Sequence, residues 1–131
     1  MGDRMIVGSG IDLVEIARIQ RSMERFGSRF LDRVYTEAEQ EYCRRKHNAA
    51  ESFAARFAAK EAAAKALGTG ISQGVSWLDI EVVRNPGGKP ELRFLGRAGQ
   101  RAARLGVGRT ALSITHTSAL AMASVVLEDG C

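Results

Sequence analysis

Two carboxylates and a group of cations at regular spacing are the residues of this chain best suited to chemistry. Asp12 follows Gly8 and Gly10 at alternate positions in a stretch patterned as a strand. Glu61 lies within Arg56-Phe57-Ala58-Ala59-Lys60-Glu61-Ala62-Ala63-Ala64-Lys65, a segment patterned as a helix. One carboxylate from a strand and one from a helix, with basic residues close by, suit a hard cation shared with phosphate. Mg²⁺ is typically held in this way, by one or two carboxylates, waters and substrate phosphate oxygens. No Cys/His spacing suggests zinc, and no glycine-rich Walker loop is present. Two other places carry polar chemistry, the turn Gly87-Gly88-Lys89-Pro90 and the run Ser113-Ile114-Thr115-His116-Thr117.

Each of these has a plainer reading. Glu61 precedes Lys65 by four residues, the favourable order for a solvated intrahelical ion pair of about 0.2–0.5 kcal/mol. Asp12 can cap a following helix next to a bulge. His116, at a strand end, can be structural.

The elements that must hold these residues are readable from periodicity. Alanine has the best helix propensity, so the segment around Glu61 is helical. At 3.6 residues per turn Phe53, Phe57, Ala64 and Leu67 share a stripe. Arg56 and Lys60 flank it on one side, Glu61 and Lys65 on the other. The remaining arc is alanine, small enough for another backbone to approach. Some of the flanking charges must therefore be aimed at something.

Residues 5–13 read as a strand with Met5, Val7, Ser9, Ile11 and Leu13 on one face. Ile6, Gly8, Gly10 and Asp12 lie on the other, where the glycines leave open space beside the aspartate. Residues 14–26 form an amphipathic helix with Ile16, Ile19 and Met23 inward and Arg18, Arg21 and Arg25 outward. Thr36, with Glu37 and Glu39 behind it, opens a helix that runs to Arg44-Arg45-Lys46. Asn48 to Glu51 is a capping signal for the alanine helix, and Gly68-Thr69-Gly70 ends it. Strands follow over 77–84 and 91–95 across a Pro/Gly turn, then a helix over 98–105. Strands over 110–115 and 119–127 are joined at His116-Thr117-Ser118. This order gives an α+β class, an antiparallel sheet packed on a long central Ala-rich helix.

At 131 residues, with 45% hydrophobic and 26% charged residues, the expectation is one domain, 1–131. No apolar run reaches the ~20 residues of a membrane span. The N-terminus does not read as a secretory signal, and Cys43 and Cys131 form no disulfide framework, so a cytoplasmic location is expected. The net charge of +4 suggests anionic partners. One alternative is a nucleic-acid-binding module tracking phosphates with the arginines of 18–33. It leaves Asp12 and Glu61 unexplained, and the sparse aromatics do not interleave with the basic residues.

Taken together, Gly10-Ile11-Asp12-Leu13, the Arg56 to Ala66 string, Gly88-Lys89-Pro90 and Ser113-Ile114-Thr115-His116-Thr117 resemble the holo-[acyl-carrier-protein] synthases. These are the small trimeric group of 4'-phosphopantetheinyl transferases, and the resemblance spans about residues 6–127. It implies transfer of the phosphopantetheine arm of coenzyme A to a serine of apo acyl carrier protein, in support of fatty acid biosynthesis, with release of adenosine 3',5'-bisphosphate. By position it implies Asp12 and Glu61 as ligands of Mg²⁺, and Glu61 and Lys65 as catalytic. Arg56, Lys65, Gly88, Lys89, Pro90, His116 and Thr117 would bind coenzyme A, and Arg18 and Arg25 would meet the acidic carrier protein. It further implies a homotrimer with the adenine site between subunits, so that Lys89 and His116 serve a different pocket from their own Asp12. Neither nucleic acid nor membrane is an implied partner. A non-catalytic relative that only binds coenzyme A or the carrier is the remaining alternative, against which Asp12, Glu61 and Lys65 are all present.

Overall fold

Helix α4 (Ala49–Ala66) is the axis on which the rest of the chain is arranged. It begins where Asn48 Oδ1 accepts the Glu51 N–H at 3.2 Å, and gives way after Leu67 to Gly68 at φ +82°. Both ends match the sequence reading. The computed structural model describes residues 3–130; Cys131 lies outside the described residues.

A three-stranded antiparallel sheet in the order β1-β5-β4 covers one side of α4, with β1 Ile6–Glu15, β5 Leu120–Asp129 and β4 Val107–His116. Its inner face is small, with Ala121, Ala123, Val125 and Leu127 all buried. Gly8 and Gly10 of β1 press directly on the carbonyls of Ala66 and Ala62. Alanine on one surface and glycine on the other let strand and helix backbones approach, as the small arc of the helix led one to expect.

The first strand runs past the expected Leu13. Val14 belongs to the buried core, Glu15 pairs with Leu120, and the Ile16 N–H donates to Ala119 O at 2.9 Å. Helix α1 therefore starts at Ile16, not Val14, and ends at Phe26. Asp12 is mid-strand, which removes its reading as a helix cap.

Helix α2 (Ser28–Val34) was not expected; Gly27, at φ +55°, turns the chain so that Leu31 and Val34 reach the core. Helix α3 (Glu37–Arg44) opens on the predicted cap, Thr36 and Glu39 each bonding the other's backbone N–H.

In the second half, 77–79 is a single 3₁₀ turn (Trp77–Asp79) closed by Asp79 Oδ2 on the Ser76 N–H, so the strand is shortened to β2 (Ile80–Arg84). With β3 (Pro90–Phe94) it forms a separate two-stranded sheet that lies near β4 without laddering to it. Helix α5 (Gly96–Leu105) leads into β4. The class is α+β, with two antiparallel sheets around α4 where one was expected. No helix among the described residues is long and apolar enough to cross a membrane.

One flanking charge departs from the helical-wheel picture. Lys60 is fully buried, and burial drives its ammonium pKa down against the opposing pull of Glu39.

Candidate active site

The chemistry-bearing residues fall into two groups on different sides of α4. The first is built where β1 crosses the helix. The parity that faces Gly8 and Gly10 toward α4 also faces Asp12 toward it, and the i, i+4 spacing puts Glu61 and Lys65 on one helix face. Lys65 Nζ donates to Asp12 Oδ1 at 3.0 Å and to the Ile11 carbonyl at 3.0 Å. The ion pair of Lys65 thus reaches across to the strand, not along the helix to Glu61.

Glu61 is half-buried, and its carboxyl is raised above the ordinary range. Desolvation is the main cause and the negative charge of Asp12 the next; Lys65 and Arg18 pull the other way. Asp12, Glu61, Lys65 and Arg18 are therefore one electrostatic unit. Two adjacent carboxylates repel until a cation joins them. No set of three or more His, Cys, Asp or Glu side chains converges among the described residues. A cation here would take two hard oxygens from the protein and fill its remaining positions from water or phosphate, a donor set that fits Mg²⁺.

The second group lines a cleft of about 410 Å³ with Tyr42, Arg56, Arg84, Lys89, Pro90 and His116 among its walls. Arg56 is 4% exposed, and its guanidinium lies 4.0 Å from the centre of the Tyr42 ring. Its Nε is buried without a hydrogen-bond partner. Lys46 Nζ, at 4.6 Å, and the Arg84 guanidinium, at 5.9 Å, share the same ring. Burial alone would raise the Tyr42 hydroxyl pKa, but Lys46 donating to the hydroxyl, together with the charges of Arg56, Arg84 and Lys46, outweighs it and the group is lowered. His116 Nε2 stands 3.4 Å from Glu51 Oε1. Cations converging on an aromatic floor, one with an unspent donor, suit an anion attached to a flat ring.

Arg56, Lys89, Pro90 and His116 are brought together as the sequence suggested, whereas Lys65 belongs to the carboxylate group. Gly88 sits in the hairpin turn, its N–H bonded to Asn85 O, and does not line the cleft. Thr117 closes the β4–β5 turn, its Oγ1 accepting from the N–H groups of Ala119 and Leu120. Arg18 and Arg25 lie on the exposed face of α1, over the rings of Phe57 and Phe26 at 6.0 and 5.2 Å. With Arg21 they border a shallow basic depression.

Tyr42, Glu51 and Arg84 were not singled out as site residues. The i, i+4 spacing of Tyr42 and Lys46 was a usable signal, while Glu51 was read only as part of a cap. Cys43 is buried and its thiol is pushed up to about 11, chiefly by desolvation, which makes it a poor nucleophile.

Residues 8–123 match the model of the 4'-phosphopantetheinyl transferase superfamily. The chain is 59% identical to a holo-[acyl-carrier-protein] synthase of Koribacter versatilis over 125 residues, covering 95% of this chain and 100% of the relative. Among solved structures it resembles the Neisseria meningitidis holo-[acyl-carrier-protein] synthase with a TM-score of 0.86 at 37% identity, covering 95% and 100% of the two chains. It also resembles the Helicobacter pylori synthase in complex with coenzyme A, with a TM-score of 0.80 at 34% identity, covering 91% and 98%. The chain belongs to the holo-[acyl-carrier-protein] synthases of the 4'-phosphopantetheinyl transferase superfamily.

Proposed function

We propose that this transferase moves 4'-phosphopantetheine from coenzyme A to a serine of an apo acyl carrier protein, in support of fatty acid biosynthesis, using Mg²⁺ held by Asp12 and Glu61. The observation that carries the reading is the Asp12–Glu61–Lys65 unit, two mutually repelling carboxylates with an ammonium against one of them. The serine hydroxyl gives up its proton to solvent as its oxygen forms the new bond to the phosphorus bearing pantetheine. The pyrophosphate P–O bond breaks, and adenosine 3',5'-bisphosphate leaves with the electron pair. When bound, Mg²⁺ would neutralise the pyrophosphate and make its phosphorus a better electrophile. Lys65, half-exposed on a rigid helix, is free to turn from Asp12 toward the phosphate oxygens and stabilise the leaving charge.

The cleft of Arg56, Lys89, Pro90 and His116, with Gly88 and Thr117 shaping the turns that bound it, takes the adenosine end of coenzyme A. Arg18 and Arg25 offer cations to an acidic carrier, and Arg18 lies close enough to Glu61 to lower its carboxyl pKa. The whole chain, 1–131 with a core over 6–127, acts as one transferase domain in the cytoplasm, without nucleic-acid or membrane partners.

The two halves lie on opposite edges of the sheet. Asp12 pairs with Ala123, which pairs with Ile114 next to the cleft, so two strand spacings of roughly 10 Å separate them. The outer face of that sheet carries two large apolar side chains in the open, Ile11 58% and Leu13 59% exposed. Both observations support a homotrimer in which one copy supplies the metal half and its neighbour the nucleotide half of each site.

The test is incubation with Mg²⁺, coenzyme A and apo acyl carrier protein, read by intact mass. A gain of one phosphopantetheine, lost on chelation of the metal, is expected. No gain with several apo carriers that a control synthase modifies would overturn the reading.

A further inference from the structure

We propose that the buried Glu39–Lys60 pair positions the walls of the nucleotide cleft, making Lys60 a positioning residue for coenzyme A binding that never touches the ligand. Lys60 Nζ lies 2.6 Å from Glu39 Oε1 and donates to Trp77 O at 3.0 Å and to Ile80 O at 2.7 Å. The three donors of the ammonium thus have three acceptors. Glu39 is equally engaged, its Oε1 accepting from the Thr36 N–H and its Oε2 from the Val82 N–H, each at 2.8 Å. Both side chains are fully buried.

This network joins α3, α4 and β2, and each delivers a wall of the cleft from a fixed offset. Tyr42 is three residues beyond Glu39 on α3, and Arg56 is four residues before Lys60 on α4. Arg84 is two residues beyond Val82 on β2, at the same strand parity. The Glu39–Lys60–Val82 contact is therefore the Tyr42–Arg56–Arg84 cluster repeated one layer deeper. Lys89 and Pro90 follow on the hairpin that β2 begins.

That hairpin has no ladder to the main sheet, so strand pairing does not set its register against α4. Two carbonyls and an N–H bonded to one buried ion pair do. Stability alone does not explain the pair, because apolar residues of similar volume usually serve as well or better in a core. Fixing a single arrangement of three elements is what apolar packing supplies poorly.

The inference rests on the cleft being the nucleotide site, so the experiment tests both separately. Affinity for adenosine 3',5'-bisphosphate is measured by calorimetry, and KM for coenzyme A and kcat by carrier modification. The variants are Lys60→Met/Glu39→Gln, Glu39→Gln alone, and Arg56→Met as the reference. Lys60→Met by itself leaves a buried carboxylate unpaired and is expected to unfold. The double variant removes both charges and keeps an amide oxygen as acceptor at the cap.

The double variant is expected to fold, to keep kcat at saturation within about threefold, and to raise KM and Kd about tenfold or more, a binding defect without a chemical one. Glu39→Gln alone leaves the Lys60 ammonium with its carbonyl acceptors but no counter-ion, so it is expected to be less stable than wild type and to weaken binding in the same direction. Wild-type affinity in a folded double variant, with Arg56→Met weakened, overturns the positioning role and leaves the cleft. A loss confined to kcat overturns it equally. Wild-type affinity in both overturns the cleft as the nucleotide site.

Discussion

Gly10 sits so tightly against Ala62 that a Cβ added to it would lie 2.0 Å from the Ala62 carbonyl oxygen. Neither partner can yield easily, since Gly10 sits midway along the β1–β5 ladder and Ala62 belongs to the backbone of the central helix. Gly10→Ala must separate β1 from α4, at a cost of about 1–3 kcal/mol or more. The same separation carries Asp12 away from Glu61, so activity should fall further than stability does. Gly88→Ala is the control for stability: its Cβ would meet Asn85 at an ordinary 3.4 Å, and a change within about 0.5 kcal/mol is expected. Urea unfolding of both variants measures the difference.

Glu61 opposes the stability of the metal-free fold. Its folded pKa is raised above the unfolded value by desolvation and by Asp12. Below the unfolded pKa both states are protonated and Glu61 has no effect. As pH rises from the unfolded to the folded pKa, the unfolded carboxyl ionises freely while the native one holds its proton, and stability is lost until both are charged. Glu61→Gln should therefore raise Tm in chelated buffer near neutral pH, and this advantage should vanish as pH falls through the carboxylate range. The same variant should be inactive. A Tm difference independent of pH would show that the charge is not the cause.

Arg56 combines burial with an unspent donor, which gives its removal an unusual signature. Arg56→Met keeps an apolar stem of similar length, gives up the guanidinium contact with the Tyr42 ring, and removes the unpartnered Nε–H, whose burial costs about 1–3 kcal/mol. Thermal stability should hold or rise while KM for coenzyme A increases roughly 10- to 100-fold, the loss expected of a charge-assisted bond. Raising the salt should weaken wild-type binding of adenosine 3',5'-bisphosphate more steeply than that of the variant.

The contrast between Lys65 and Lys60 explains what was legible in the sequence. Lys65 and Glu61 share a face by helical spacing and Asp12 lies on the glycine face of its strand, but periodicity suggested a Lys65–Glu61 pair, and the joining of Asp12 to that face was expected from the family resemblance. The Thr36–Glu39 capping box was legible from local pattern. Lys60 was placed on the correct flank of the helix, but a helical wheel gives direction and not depth. Its burial depends on Glu39 and on the carbonyls of Trp77 and Ile80, which come together only when α3 and β2 dock. Tyr42, Glu51 and Arg84 escaped for the same reason, converging from three elements whose packing no local pattern encodes. Strand ends shifted because Val14 and Glu15 continue the ladder with β5, a tertiary preference that outweighs local turn signals.

The proposed role of Lys65 predicts a split between binding and chemistry. Its ammonium contacts Asp12 and the Ile11 carbonyl in the free protein and lies apart from the cleft of Arg56. Lys65→Ala should lower kcat about 10²–10³-fold, the usual loss when one donor to developing charge is removed. KM for coenzyme A should change little, the reverse of the Arg56→Met pattern. Lys65→Arg should recover only part of kcat, because a planar guanidinium cannot follow the compact ammonium between carboxylate and phosphate.

A site divided between copies, as proposed, makes a prediction that no single variant can. Asp12→Ala destroys the metal half of each site and His116→Ala the nucleotide half, so each protein alone should be inactive or nearly so. In a trimer mixed from equal amounts, a site is whole only where a chain with intact Asp12 faces a chain with intact His116. Random mixing places that pair at roughly one site in four, and co-refolded protein should regain about that share of wild-type activity. If both halves were used within one chain, every site would carry a lesion and no activity would return. Leu13→Lys supplies the companion measurement: a charge on the bare sheet face should split the assembly in light scattering and abolish turnover, though Leu13 touches neither half of the site.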